Sequence, residues 1–334
     1  MTVRPVMEAV TATASAVSSF VPRALFPPHR LPRSYFLGHH AKTIRLMREM
    51  VDQIDLVFEV RDARAPFTTR NAVFESIVAS KSRIIVYTKA DISAIDPKIF
   101  EKWHPDGKYC IVDNGRPESV RRLLAVAKEH AKGRESFYGV KALIMGMPNV
   151  GKSSLLNTLR YAGMHGGKVA RTGALAGITR AIPTFVKVLT NPDVLVYDTP
   201  GVSLPSAIGA NDMLVLSALG CTNPALVDHI IQADFLLYHL NKLDPSLYAK
   251  YSPPTNDVEE FLAAYCNRMG KRIKGGYPDF SGASAQWLDR WRRGLEGKIA
   301  FDDFRNPDAC KIWEYEQSKK MEMQRKTMQK FRGT

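Results

Sequence analysis

Residues 83–92, RIIVYTKADI, and residues 144–154, IMGMPNVGKSS, together decide how this chain folds. The first stretch reads as a buried strand that runs out into a Thr-Lys-Ala-Asp loop. The second reads as another apolar strand, followed by G-x-x-x-x-G-K-[ST] with Gly146, Gly151, Lys152 and Ser153 at the fixed positions. Loops of the first kind hold a nucleotide base and loops of the second kind hold phosphates. Where both occur, the phosphate loop ordinarily comes first, yet here the base loop precedes it. Either the early motif is a simple turn after a strand, or the chain begins in the middle of its own fold.

The phosphate loop carries the firmer chemistry. Backbone N–H groups of such a loop, and of the helix N-terminus after it, point at phosphate oxygens. Lys152 is placed to pair with β and γ oxygens and the Ser153 hydroxyl to ligate Mg²⁺, with Asn149, Val150 and Ser154 in the same stretch. Leu155, Leu156 and Leu159 share one face of the helix that follows. Downstream, VLVYDTPGV at 194–202 sets Asp198 at a strand end, within reach of Mg²⁺ through a water. Gly201 follows it, with a backbone N–H placed to sense a γ-phosphate. Between them, RTGALAGITRA at 171–181 offers Thr179 as a further Mg²⁺ ligand in a switch segment, with an ordinary surface loop as the alternative.

The phosphate loop does not choose between ATP and GTP; the earlier stretch does. Asp91 would accept two hydrogen bonds from the N1 and exocyclic N2 donors of guanine, a pairing adenine cannot offer. Lys89 would lay its aliphatic stem over the base, flanked by Thr88 and Ala90. The next strand, YCIVDNG at 109–115, ends with Asn114 where a short loop would close over the same base. Strands expected at 54–60, 83–88, 109–112, 141–147, 184–190 and 194–198 alternate with helices at 41–52, 69–80, 96–104, 116–132 and from 151. That pattern predicts an α/β fold with a mostly parallel sheet, after which residues 205–300 read as helical. If the sheet is intact, both sets of strand ends meet at one nucleotide, and only the connectivity has been cut and rejoined.

In this motif order the chain resembles the circularly permuted GTPases of ribosome assembly. FLGHHAKTIR at 36–45, VRDARAPFTTRN at 60–71 and ADFLLYHLNK at 233–242 are similar to stretches of that family. The resemblance implies GTP and GDP as ligands, Mg²⁺, and a K⁺ ion held partly by Asn149. It also implies a water-positioning histidine, His39 or its neighbour His40, since Val202 stands where many GTPases have glutamine. Catalytic roles then fall to His39, Lys152 and Thr179, and metal ligation to Ser153, Thr179, Asp198 and Asn149. The chain departs from the family at Thr88, where an asparagine is usual; the lost amide is expected to weaken a brace on the phosphate loop. Leu37 replaces a usual proline.

The 334 residues carry 47 Lys and Arg against 33 Asp and Glu, a net charge of +14, which points to a polyanion such as RNA. Cys110, Cys221, Cys266 and Cys310 are widely spaced and imply neither a zinc site nor a disulfide framework. Residues 1–34, basic and rich in Ala, Ser and Thr, with Glu8 as the only acid, read as a mitochondrial targeting segment. The expected organisation is a permuted GTPase domain at 35–204, a helical RNA-binding domain at 205–310 and a charged tail at 311–334. KRIK at 271–274 and the arginines of WLDRWRR at 287–293 are candidate RNA contacts, with Trp287 and Trp291 as core. The resemblance implies a monomer of the mitochondrial matrix, touching the inner membrane peripherally, that serves large-subunit assembly through its rRNA. A GTP-gated tether with negligible hydrolysis and a P-loop ATPase or kinase are the alternatives.

Overall fold

The computed structural model describes residues 20–31, 38–113, 116–131, 139–164, 185–190, 192–199 and 209–303, with 308, 311, 315 and 318; the side chains of 38–42 and 131 are excepted. Six strands form one sheet: β1 (Leu56–Asp62), β2 (Ser82–Thr88), β3 (Tyr109–Val112), β4 (Val140–Gly146), β5 (Phe185–Leu189) and β6 (Val194–Asp198). Their spatial order is β3-β2-β1-β4-β6-β5, parallel throughout except for the β5–β6 pair. β4, which feeds the phosphate loop, therefore lies between β1 and β6. Register pairs Asp62 with Thr88, Thr88 with Val112, Val60 with Gly146 and Ile144 with Asp198. The carboxyl ends of all five parallel strands thus lie along one edge, where open α/β sheets bind their ligands.

β1 runs on through Arg61 and Asp62, beyond the expected end at Val60, because both charges find buried partners. Helix α1 (Gly38–Met50) precedes β1, α2 (Ala72–Ile77) connects β1 to β2, and α3 (Lys98–Trp103) connects β2 to β3. α2 is shorter than the expected 69–80, since Asn71 caps it by accepting from the N–H groups of Val73 and Phe74. α4 (Arg121–Ala131) and α5 (Lys152–Met164) bring Leu123, Leu124, Leu155 and Leu156 onto the sheet face formed by Phe58, Val60, Val86 and Ile144.

α6 (Ala210–Ala218), α7 (His229–Leu243), α8 (Val258–Met269) and α9 (Phe280–Arg292) make the helical region. Its core joins that same sheet face in one continuous apolar cluster, through Met147, Val150, Met213 and Leu216. Trp287 and Trp291 are buried in it, as expected for core residues. Part of the expected targeting segment is also docked here. Phe26 packs edge-on against Phe235 at 5.2 Å, Arg23 pairs with Asp234, and the Arg23 N–H donates to Asn256 Oδ1 at 3.1 Å. Among the described residues no helix is long and apolar enough to cross a membrane.

Trp287 has no exposed surface and meets Phe261 at a ring-centroid distance of 4.3 Å. Trp287→Ala is expected to lower stability by about 3–5 kcal/mol, read as a fall in the urea midpoint. An unchanged midpoint would contradict this packing.

Candidate nucleotide-binding site

The phosphate loop starts where β4 ends. Gly146 has φ 152°, and a Cβ there would come within 2.4 Å of the Val60 carbonyl oxygen on β1, so only glycine fits. Asn149 at φ 58° and Gly151 at φ 100° complete the turn into α5. Lys152 opens that helix nearly buried, its ammonium donating to the Met147 carbonyl at 2.8 Å, so that its stem folds back over the loop. Burial lowers the Lys152 pKa, and Asp198 opposes the shift. The positive end of α5 and this ammonium face the same space, an arrangement that attracts phosphate.

Ser153 Oγ donates to Asp198 Oδ2 at 2.9 Å, bringing the end of β6 against the start of α5. Burial raises the Asp198 pKa, while Lys152 and Ser153 oppose it. The other oxygen, Oδ1, is buried and has no hydrogen-bond partner among the described residues. A hydroxyl beside an unsatisfied carboxylate oxygen is the hard-oxygen donor set that suits Mg²⁺. Thr199 holds this corner in place, its hydroxyl donating to the Ile144 carbonyl at 2.9 Å.

The base loop is tied directly to the phosphate loop. Thr88 Oγ1 donates to the Val150 carbonyl at 2.5 Å, and Lys89 Nζ donates to the Asn149 carbonyl at 2.7 Å. The expected loss of a brace at Thr88 is therefore corrected: the hydroxyl itself reaches the loop in place of an amide. Lys89 adopts φ 60° and also donates to Asp62 Oδ2 at 2.9 Å. Asp62 has no exposed surface and receives Arg64 through Nε at 2.9 Å and NH2 at 2.8 Å. Burial pushes the Asp62 carboxyl up, but Arg64 and Lys89 outweigh it and hold the group well below the usual carboxylate range. Beyond them Asp91 is exposed, in the short turn Ala90–Ile92.

The same cluster continues into the helical region. Asn149 Nδ2 donates to the Gly220 carbonyl at 2.9 Å, and a Cβ on Gly220 would meet that nitrogen at 3.1 Å. Arg292, at the end of α9, donates to the Ala218 carbonyl at 2.7 Å and the Ser217 carbonyl at 2.9 Å, closing the C-terminus of α6. Arg64 NH1 donates to the Arg292 carbonyl at 3.3 Å, and its guanidinium lies over Trp291 at 4.8 Å. Arg292 is thus a half-buried helix cap, which corrects its expected place on an RNA-facing surface. Arg290 is drawn to Glu296 instead.

Thr88, Lys89, Ala90, Asp91, Gly146, Asn149, Val150, Gly151, Lys152, Ser153, Ser154 and Asp198 all lie at one edge of the sheet. His39 falls in α1, without a described side chain. Asn114, Thr179, Gly201 and Val202 lie outside the described residues. Sequence reasoning gave no role to Asp62, Arg64 or Gly220, and gave Arg292 a different one. The signal available for Asp62 was two successive charges, Arg61 and Asp62, closing a strand that is apolar but for Glu59.

A family model described as "50S ribosome-binding GTPase" matches residues 141–271. Mitochondrial GTPase 1 of Schizosaccharomyces pombe is 33% identical over 326 residues, covering 90% of this chain and 99% of that protein. The chain belongs to the mitochondrial GTPase 1 family. Another similar protein, mitochondrial ribosome-associated GTPase 1 of Mus musculus, is 30% identical over 80% of this chain and 89% of its own length. The crystal structure of GNP-bound YlqF from T. maritima superposes with a TM-score of 0.52 at 23% identity, covering 79% of this chain and 99% of that one, which matches the fold. The fold is therefore common to this mitochondrial GTPase 1 family member and YlqF.

Replacing Thr88 by valine would keep the shape and leave the Val150 carbonyl without its donor, a cost of about 1–3 kcal/mol. GDP affinity measured by calorimetry is expected to fall roughly tenfold in Thr88→Val and to be kept in Thr88→Asn. Equal affinity in Thr88→Val would remove the brace from the account.

Proposed function

We propose that this GTPase binds GTP between residues 88–91 and the phosphate loop, and uses its hydrolysis in assembly of the mitochondrial ribosomal large subunit. The observation that supports nucleotide choice most is the pair of bonds from Thr88 and Lys89 to the phosphate-loop carbonyls of Val150 and Asn149. They space a base-reading loop and a phosphate-holding loop as one unit. Asp91 accepts from guanine N1 and N2, Asn114 closes over the base, and Lys152 with the first turn of α5 takes the β and γ phosphates. Ser153, Asp198 and Thr179 would hold Mg²⁺, which supplies positive charge against the oxygens that become negative during phosphoryl transfer. Gly201 is assigned to sense the γ-phosphate, which its N–H would meet.

Val202 has no group to orient water, so that task falls to His39, with His40 as its neighbour. The Asn149 amide nitrogen is committed to Gly220, so the amide oxygen is the atom by which it would hold K⁺. K⁺ would supply the cationic charge that other enzymes place with an arginine finger.

Several observations support a ribosomal partner: the net charge of +14, the exposed Arg272 and Lys274 of KRIK, and the names of the relatives. The matrix is the proposed compartment, reached through the Ala-, Ser- and Thr-rich segment before the docked residues. We retain 35–204 as the GTPase domain and 205–310 as the helical RNA-binding domain.

Asp91→Asn is expected to lower GTP affinity at least tenfold and raise affinity for xanthosine nucleotides, as a competition assay would show; equal binding of ATP and GTP by the unaltered protein would contradict the assignment. Turnover is expected to need potassium, with Asn149→Ala erasing the difference from sodium, whereas equal rates in the two salts would exclude the ion. Gradient sedimentation of mitochondrial lysate should place the protein with large subunits in a non-hydrolysable GTP analogue and release it in GDP. Sedimentation at the top of the gradient in both states would overturn the ribosomal reading. An import test should delete residues 1–19 only, because residues 23–26 are part of the packed structure.

A further inference from the structure

On the sheet face opposite the largest core cluster, β1 and β2 present charge where a central parallel strand is normally apolar. Arg61 Nε donates to Glu59 at 2.7 Å and Arg61 NH2 to Glu75 at 3.3 Å. Arg70 holds Glu75 through two bonds of 2.8 Å, and Arg83 NH1 donates to Glu59 at 3.0 Å. Three guanidiniums therefore share two carboxylates, leaving one positive charge in excess in a cluster whose Arg61 and Glu59 side chains are only 5% and 4% exposed. A buried ionic cluster of this kind is rarely more stable than apolar residues of the same volume, so packing alone does not account for it.

Arg61, Arg70, Glu75 and Arg83 line a cleft of about 680 Å³, within the range of about 300–1,000 Å³ typical of small-ligand sites. The cleft exists because α2 has six residues, about 9 Å of helix, over strands of about 23 Å. Lys81 and Lys108 against Asp106 add one more positive charge to its lining. Trp103 forms part of the wall and is held by Phe67 at 4.6 Å and Phe100 at 5.5 Å. His104 beside it donates to or accepts from the Tyr87 hydroxyl at 2.8 Å. Its pKa is pushed down to about 4, by burial first and then by Arg61, Arg70 and Arg83, against the opposing Asp106. The potential in the cleft is thus positive. None of the phosphate-loop or base-loop residues lines it.

We propose that this cleft binds one nucleotide of single-stranded RNA, its phosphate on the arginine cluster and its base against Trp103. An aromatic wall beside guanidinium groups suits an unstacked base joined to a phosphate, which duplex RNA does not present. A purely acidic peptide would use the charge and leave the indole without a partner. The inference rests on the ribosomal reading only for its choice of RNA over other nucleic acids.

The test is fluorescence anisotropy of a labelled ten-residue oligouridylate with the full chain, alongside GDP binding in the same samples. Arg83→Gln with Lys108→Gln is expected to weaken RNA binding about tenfold and leave GDP affinity unchanged. The salt slope should become shallower by about 0.7 for each phosphate that the double variant no longer neutralises. Lys108→Gln alone, on the exposed rim, should weaken binding less, in the same direction. Trp103→Phe should keep RNA affinity within about twofold while removing most of the RNA-induced quenching of tryptophan fluorescence. RNA affinity unchanged in the double variant, or no oligouridylate binding by a protein that still binds GDP, would overturn the proposal without touching the GTPase reading. Displacement by inorganic phosphate as effective as that by uridine monophosphate would likewise overturn it, since the base would then contribute nothing.

Discussion

Asp62 sits at the end of a central strand with no exposed surface, and its charge is balanced by Arg64 and Lys89. Removing one partner from such a buried pair typically costs about 3–5 kcal/mol, because the remaining charge is left without compensation. The position is therefore rigid, and three segments take their places from it. Lys89 is held so that its ammonium also reaches the Asn149 carbonyl. Arg64 is held against Trp291 and the end of α9. The loop after β1 is pinned further where Thr68 and the N–H of Phe67 donate to Asp302.

This arrangement explains how a permuted chain can keep a working nucleotide edge. In a parallel sheet the loops at the strand ends are neighbours in space whatever their order in sequence. Cutting the chain elsewhere costs little provided the neighbours remain bonded. Here the bonds are specific: Thr88 to Val150, Lys89 to Asn149, Ser153 to Asp198. The phosphate loop is also in direct contact with the helical region, through Asn149 and Gly220. A shift of Asn149 on nucleotide binding would therefore be felt at the C-terminus of α6, which Arg292 closes. Between Asn149 and that cap lies the Gly220 turn, at φ 74°.

The parallel sheet is legible in the sequence because its strands are short apolar runs bounded by turn residues, and the phosphate loop because four fixed positions follow one of them. Strand β1 is ended two residues early by the sequence, as α2 is made too long by it. Arg61 and Asp62 look like a strand end until their partners, distant in sequence, are known. The role of Thr88 is hidden for a related reason: whether a hydroxyl can replace an amide depends on a distance of 2.5 Å that composition does not carry. Arg292 lies in a run of basic residues that reads as a charged surface. Only the placement of α6 turns it into a cap. The docked residues 20–31 are masked by composition, since Arg, Phe and Pro serve a targeting segment and a packed arm alike.

The central claim is that loops distant in sequence form one nucleotide site and pass its occupancy to the helical region. Hydrogen exchange of backbone amides with and without GDP tests it most directly. Simultaneous protection is predicted at residues 88–92 and 146–156, extending to 217–221 through the Asn149–Gly220 bond. Protection confined to 146–156, with the 88–92 loop and the Gly220 turn unchanged, would contradict the account.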